Sequence, residues 1–209
     1  MRGNGAYVGL PTDQLQQLVG MVERLRMVSA LAEYDERAAR VVEGASRCDL
    51  LIEVPRRDGQ GALSLVIEVQ EEVEPTKRGS WAAYWAEEYH RRECGQVWFL
   101  VIALTDEVAT WADDALARVI PEEGRRFVLG PRLIKPVIDV ERARECPELA
   151  VLGALMHAGC DDVRMVPAVV VALRELEPGL GDRVRDVVRE RMSPDARRAL
   201  DEQLGAAVR

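Results

Sequence analysis

Two β-like runs, SRCDLLIEV (46–54) and ALSLVIEVQ (62–70), flank the segment PRRDGQG (55–61). An Asp-Gly pair between alternating apolar runs is a strong short-range signal for a β-hairpin, and Asp58-Gly59 supplies it. Pro55 ends the first run, where its missing N–H does not interrupt pairing. A hairpin symmetric about Asp58-Gly59 sets Leu50 opposite Ile67, Asp49 opposite Glu68 and Arg47 opposite Gln70. Side chains alternate across a strand. One face is therefore wholly apolar: Cys48, Leu50, Ile52 and Val54 against Leu63, Leu65, Ile67 and Val69. The other carries Arg47, Asp49, Glu68 and Gln70 at one end, Leu51 and Val66 in the middle, and Glu53 and Ser64 near the turn.

Directly opposed carboxylates on one sheet face repel. A divalent cation, a proton, or the Arg47 guanidinium would each offset Asp49 against Glu68. A hard ion such as Mg²⁺ suits carboxylate oxygens and keeps several of its waters. A water made more acidic by such an ion is a ready nucleophile for a phosphodiester. The competing expectation is a solvated sheet face, since antiparallel sheets often keep one side wet, with Arg47 bridging the two acids.

Around the hairpin the pattern is mostly helical. Leu15, Leu18, Val19, Val22, Leu25, Val28 and Leu31 recur at three- and four-residue steps, predicting helix from Pro11 to about Glu43, capped by Thr12 or Asp13 and ended by Gly44. A second helix is expected from Pro75 to about Cys94, with Trp81, Tyr84, Trp85 and Tyr89 as its packing stripe. QVWFLVIAL (96–104) reads as a strand buried on both faces, and TDEVATWADDALARV (105–119) as a helix. RRFVLGP and LIKPVIDV suggest short strands, the second weakened by Pro136. After Pro147 only helical patterns follow, at 148–158, 161–176, 180–192 and 194–207, punctuated by Pro178-Gly179 and Ser193-Pro194. The expected organisation is an α/β core over 1–146 with its N-terminal helix, and a helical region over 147–209 packed on it.

Composition narrows the chemistry. A net charge of −8 argues against a protein that coats nucleic acid non-specifically, but leaves room for one that cuts it with an acidic metal site. The four cysteines (Cys48, Cys94, Cys146, Cys160) form no C-x-x-C pair and there are only two histidines, so zinc is not expected. Cys94 and His90 are four apart on a charged helix with no third group to orient them, which does not make a thiol nucleophile. No signal peptide is apparent and the longest apolar run, MVPAVVVAL from Met165, is too short to span a bilayer. The expected setting is the cytoplasm, with reduced thiols.

The order helix, strand with CD, strand with IEVQ, helix, apolar strand resembles the PD-(D/E)XK nuclease superfamily, whose core follows an αβββαβ plan. Asp49 matches its first acid, Glu68 its second, and Gln70 stands at the lysine position. Sequences with E-x-Q there are similar to the transposase-like, recombination-promoting nuclease (Rpn) branch, and within it this chain resembles a group of bacterial proteins. Those share a K-R pair (Lys77, Arg78), Trp81 and Tyr84 on the next helix, Trp111-Ala112 after the next strand, and a P-E-L-A-V-L segment (Pro147 to Leu152). The resemblance spans about residues 12 to 160, and its specificity lies in the ordered set of motifs. Two departures stand out: Cys48 occupies the place of the superfamily's proline, and Gln70 replaces lysine. No clear strand precedes SRCDLLIEV; the plan's first strand falls within 32–46 or is missing.

The resemblance implies a restriction-endonuclease-like core, a mixed sheet flanked by helices, and a Mg²⁺-dependent deoxyribonuclease that would also accept Mn²⁺. Asp49 and Glu68 would bind the metal, with Glu36 or Glu43 as a third carboxylate. Gln70 would orient the attacking water by hydrogen bonds, lacking a lysine's charge. Lys77 and Arg78, at a helix start, would hold DNA phosphate, with Tyr84 on the same helix as a further substrate-side candidate. The alternative is a catalytically weak or inactive scaffold that acts through its helical tail, for instance as a homodimer.

Overall fold

The computed structural model describes residues 40–42, 48–91, 96–121, 124–159, 162–176 and 178–206. The helix expected from Pro11 to about Glu43 lies outside them except at 40–42, as do Glu36, Glu43, Arg47, Cys94 and Cys160. The described chain forms two compact units, one built from residues up to Ile102 together with Glu107–Val128, the other from Ala103–Asp106 together with the residues from Leu129 onward.

The first unit is α/β. Its mixed sheet has the order β1-β2-β3-β4-β5, with β1 a two-residue strand (Arg40–Val41), followed by β2 (Leu50–Pro55), β3 (Ala62–Gln70), β4 (Val97–Ala103) and β5 (Arg125–Leu129). Helices α1 (Lys77–Arg91) and α2 (Asp106–Val119) connect β3 to β4 and β4 to β5. The β2–β3 hairpin has the register its symmetry predicts, with Leu50 opposite Ile67, Ile52 opposite Leu65 and Glu53 opposite Ser64. The turn is wider than two residues. Strand pairing ends at Pro55 and Ala62, and Arg56 N–H then bonds Gly61 O at 3.0 Å. Gly59 and Gly61 take φ of 71° and 91°, a region glycine enters without steric cost. Because this wider loop is still centred on Asp58-Gly59, the pairing frame is preserved. β1 lies where helix was expected to end: Arg40 pairs with Glu53 and Val41 with Ile52, antiparallel to β2. A strand within 32–46 therefore does precede the hairpin.

One expectation about the hairpin is reversed. The face bearing Asp49, Glu53, Ser64, Glu68 and Gln70 is not a wet sheet surface, because Glu53, Ser64, Glu68 and Gln70 are all buried. Leu51 and Val66 on the same face join one apolar cluster with Trp81 and Tyr84 of α1, Val97, Phe99 and Val101 of β4, and Ala112, Ala115 and Leu116 of α2. On the apolar face Ile52, Val54, Leu63, Leu65 and Ile67 are buried as well, while Cys48 and Leu50 are half-buried and Val69 is exposed at the end. Two apolar residues among five polar ones were enough to draw a helix over this face, because α1 brings its own polar partners.

The second unit is helical beyond β5: α3 (Val140–Glu145), α4 (Pro147–His157), a 3₁₀ turn (Val163–Met165), α5 (Val166–Glu175), α6 (Pro178–Arg191) and α7 (Pro194–Ala206). The strand expected over LIKPVIDV does not form. Asp139 instead caps α3, its Oδ1 accepting from Arg142 N at 2.7 Å, and the chain before it is irregular around Pro136. Val137 and Ala143 belong to the same core as Ala150, Val166, Val169, Val188 and Leu200. The helical unit thus begins at Leu129, ahead of the change of character at Pro147. Among the described residues no helix is long and apolar enough to cross a membrane.

Candidate functional site

Strand pairing carries Asp49 and Glu68 together one step beyond the last hydrogen-bonded pair of the hairpin, and both side chains bond across the gap. Asp49 N–H donates to Glu68 Oε1 at 3.2 Å, and Val69 N–H donates to Asp49 Oδ2 at 2.8 Å. Helix α1 closes over the pair with residues at three- and four-residue spacing. Lys77 Nζ donates to Glu68 Oε2 at 2.8 Å, and Trp81 Nε1, one turn on, donates to the same oxygen at 3.3 Å. Tyr84 is buried on that stripe. The aromatic spacing predicts packing, and Trp81 and Tyr84 are core residues; Trp81 also serves Glu68, which that spacing by itself does not show. Its place four residues after Lys77 was the available signal.

Glu68 has no exposed surface. Burial pushes its carboxyl pKa up, as does the Asp49 charge, while the Lys77 ammonium and the Trp81 N–H pull the other way. Burial opposes the charge on Lys77, but its hydrogen bond and attraction to Glu68 prevail and raise its pKa. Tyr84 is raised by burial and then by the Glu68 charge. One ammonium against two carboxylates leaves the cluster short of positive charge.

Three oxygens here have unused acceptor capacity. Oε1 of Glu68 accepts only the Asp49 N–H, and Oδ1 of Asp49 accepts no hydrogen bond among the described residues. Gln70, two residues beyond Glu68 on the same face, is 5% exposed and its Oε1 is buried with no donor among the described residues. An oxygen-only set of two carboxylates and an amide fits a hard cation that keeps most of its own water. It does not fit zinc, and among the described residues no group of three or more His, Cys, Asp and Glu side chains is placed to hold a metal.

The residues expected to hold phosphate are engaged within the protein. Lys77 is turned onto Glu68. Arg78 NH2 lies 3.3 Å from Asp114 Oδ2 in a largely exposed pair, while its Nε is buried with no acceptor among the described residues. Exposed pairs of this kind contribute at most about 1 kcal/mol, so Arg78 can exchange partners at little cost.

A second polar cluster on the same sheet face was not anticipated. Glu88 of α1 is buried and accepts from Ser64 Oγ at 3.1 Å and from Arg91 NH2 at 2.6 Å. Arg91 also lies 3.9 Å from Glu53, which accepts from Arg40 of β1 at 2.6 Å. Lys77, Trp81, Tyr84, Glu88 and Arg91 form one stripe, and its two ends bond Glu68 and Ser64 of the same strand.

No family model, no curated protein and no solved structure matches this chain.

Proposed function

We propose that the first unit is a metal-dependent endonuclease-like module that hydrolyses DNA phosphodiester bonds, built on the PD-(D/E)XK plan its motif order resembles. The observation that carries the reading is the buried Glu68 carboxylate opposite Asp49, beside a buried Gln70 oxygen with no donor. Leaving a buried acceptor unmet costs about 1–3 kcal/mol, which suits an oxygen reserved for a ligand or its water. Asp49 and Glu68 would hold a Mg²⁺ or Mn²⁺ ion, which when bound supplies positive charge and a more acidic water.

The other roles belong to the chain's own side chains. Gln70 Oε1 accepts a hydrogen bond from the attacking water and so orients it. Lys77 restores from α1 the positive charge that an amide at position 70 lacks, and favours the charged form of Glu68 against the burial that opposes it. Arg78, with one donor unmet and a weak exposed partner, is the better candidate for phosphate. Tyr84 forms part of the wall behind Glu68.

The test is nicking of supercoiled DNA with Mg²⁺ or Mn²⁺, comparing the wild type with Asp49→Asn and Glu68→Gln. Nicking should require the metal and disappear in both variants. Equal inertness of all three proteins at high concentration would sink the catalytic reading.

The engagement of Lys77 and Arg78 in internal ion pairs favours a second reading, a scaffold that keeps the acidic pair without catalysis. Calorimetric titration with Mn²⁺ separates the two, because a scaffold without metal chemistry gives no heat that depends on Asp49.

A further inference from the structure

Glu68 could in principle take a cation through either oxygen or through both. The bonds already made decide otherwise. Oε2 accepts two charge-assisted donors, Lys77 Nζ and Trp81 Nε1, which use both of its lone pairs. Among the described residues Oε1 accepts only the Asp49 N–H, which leaves it one lone pair. Of the two donors on Oε2, the ammonium sits on a flexible stem that is 23% exposed, whereas the indole is held in place. Trp81 is fully buried, with ring centroids 5.8 Å from Phe99 and 5.3 Å from Trp111, both tilted against it. A rigid donor fixed by ring packing sets the orientation of the carboxylate it bonds.

We propose that Trp81 is a positioning residue whose indole N–H, fixed between Phe99 and Trp111, closes Oε2 of Glu68 and directs Oε1 toward a hard cation shared with Asp49. This rests on the acidic pair being a metal site, and it adds how that site is set: Glu68 serves as a one-oxygen ligand, and a core tryptophan enforces it.

The test uses the full chain and Mn²⁺ alone. Trp81→Phe keeps an aromatic ring but loses the N–H together with part of the indole's volume; Trp111→Phe makes the same loss of volume in the same packing and leaves the N–H on Glu68, so it controls for the packing change. By calorimetry Trp81→Phe should weaken Mn²⁺ binding about ten-fold, the scale of one charge-assisted hydrogen bond, while Trp111→Phe stays within about two-fold of wild type. A metal-free readout accompanies it. The chain has four tryptophans, so four indole N–H resonances are expected, and Trp81 is the one lost in Trp81→Phe. In Glu68→Gln that resonance should move further than the other three. Binding unchanged in Trp81→Phe, or a Trp81 resonance indifferent to Glu68→Gln, overturns the positioning role while leaving the metal reading intact. A wild type that takes up no Mn²⁺ overturns both.

Discussion

A buried amide oxygen without a donor costs about 1–3 kcal/mol in lost hydration, and Gln70 carries one. If that oxygen is held for a water, Gln70→Met should cost function and not the fold. Urea unfolding of Gln70→Met is expected to match the wild type or exceed it by about 1 kcal/mol, with DNA nicking lost. Lys77 behaves in the opposite sense. Removing one partner of a buried ion pair leaves an uncompensated charge, at a cost of about 3–5 kcal/mol. Lys77 is partly exposed, so Lys77→Met should fall near the lower end, and adding Glu68→Gln to it should recover part of the loss in a double-mutant cycle. At this scale the opposition of Asp49 and Glu68 follows from the hairpin register, while Gln70 is singled out only by the resemblance. The donors on Glu68 follow from neither, because they arrive from a helix nine and thirteen residues further on.

Among elements, the hairpin and α1 form the working assembly. The register followed from the position of Asp58-Gly59, and the turn has a local reason for it: Asp58 accepts from Arg56 Nε and NH2 and from the Gln60 N–H. These bonds, led by Arg56, lower its pKa to about 2. A depressed carboxylate contributes stability that is fully present above its ordinary pKa and fades as pH falls through the folded value. Carboxyl resonances followed from pH 6 downward should therefore show Asp58 among the last to titrate, near 2, with a contribution that declines below its ordinary value of 3.8. Helix α1 is seated by one polar stripe with bonds at both ends. Arg91→Met should loosen it, since Glu88 and Glu53 would lose a shared cation in buried surroundings. Amide exchange in the last turns of α1 should quicken before that in β4.

For the molecule as a whole, the division into two units follows burial. The segment from Leu129 to Cys146 looked like the end of a sheet domain, yet Val137 and Ala143 pack into the helical core. Within that unit α6 approaches α5 closely at Gly181, where an added Cβ would lie 2.5 Å from Leu173 O. Backbone cannot yield as a side-chain end does, so Gly181→Ala should lower stability by about 1–3 kcal/mol, with faster amide exchange concentrated in α5 and α6.

Periodicity together with the Asp58-Gly59 turn determined the hairpin and its frame, and periodicity determined helices α1 and α2, the buried strand β4 and the helical run after Pro147, because each is a local pattern with one satisfactory face. The same patterns mislead where two answers are locally equivalent. An alternating strand with polar residues on one side suits water or a polar helix equally well, and a short apolar run with a proline suits an edge strand or the approach to a capped helix. Only tertiary structure decided between them. Burying Glu68, Ser64 and Glu53 is tolerable because Lys77, Trp81, Glu88 and Arg91 arrive together on one helical stripe, and that coincidence of two periods, one on a strand and one on a helix, exists only once the chain has folded.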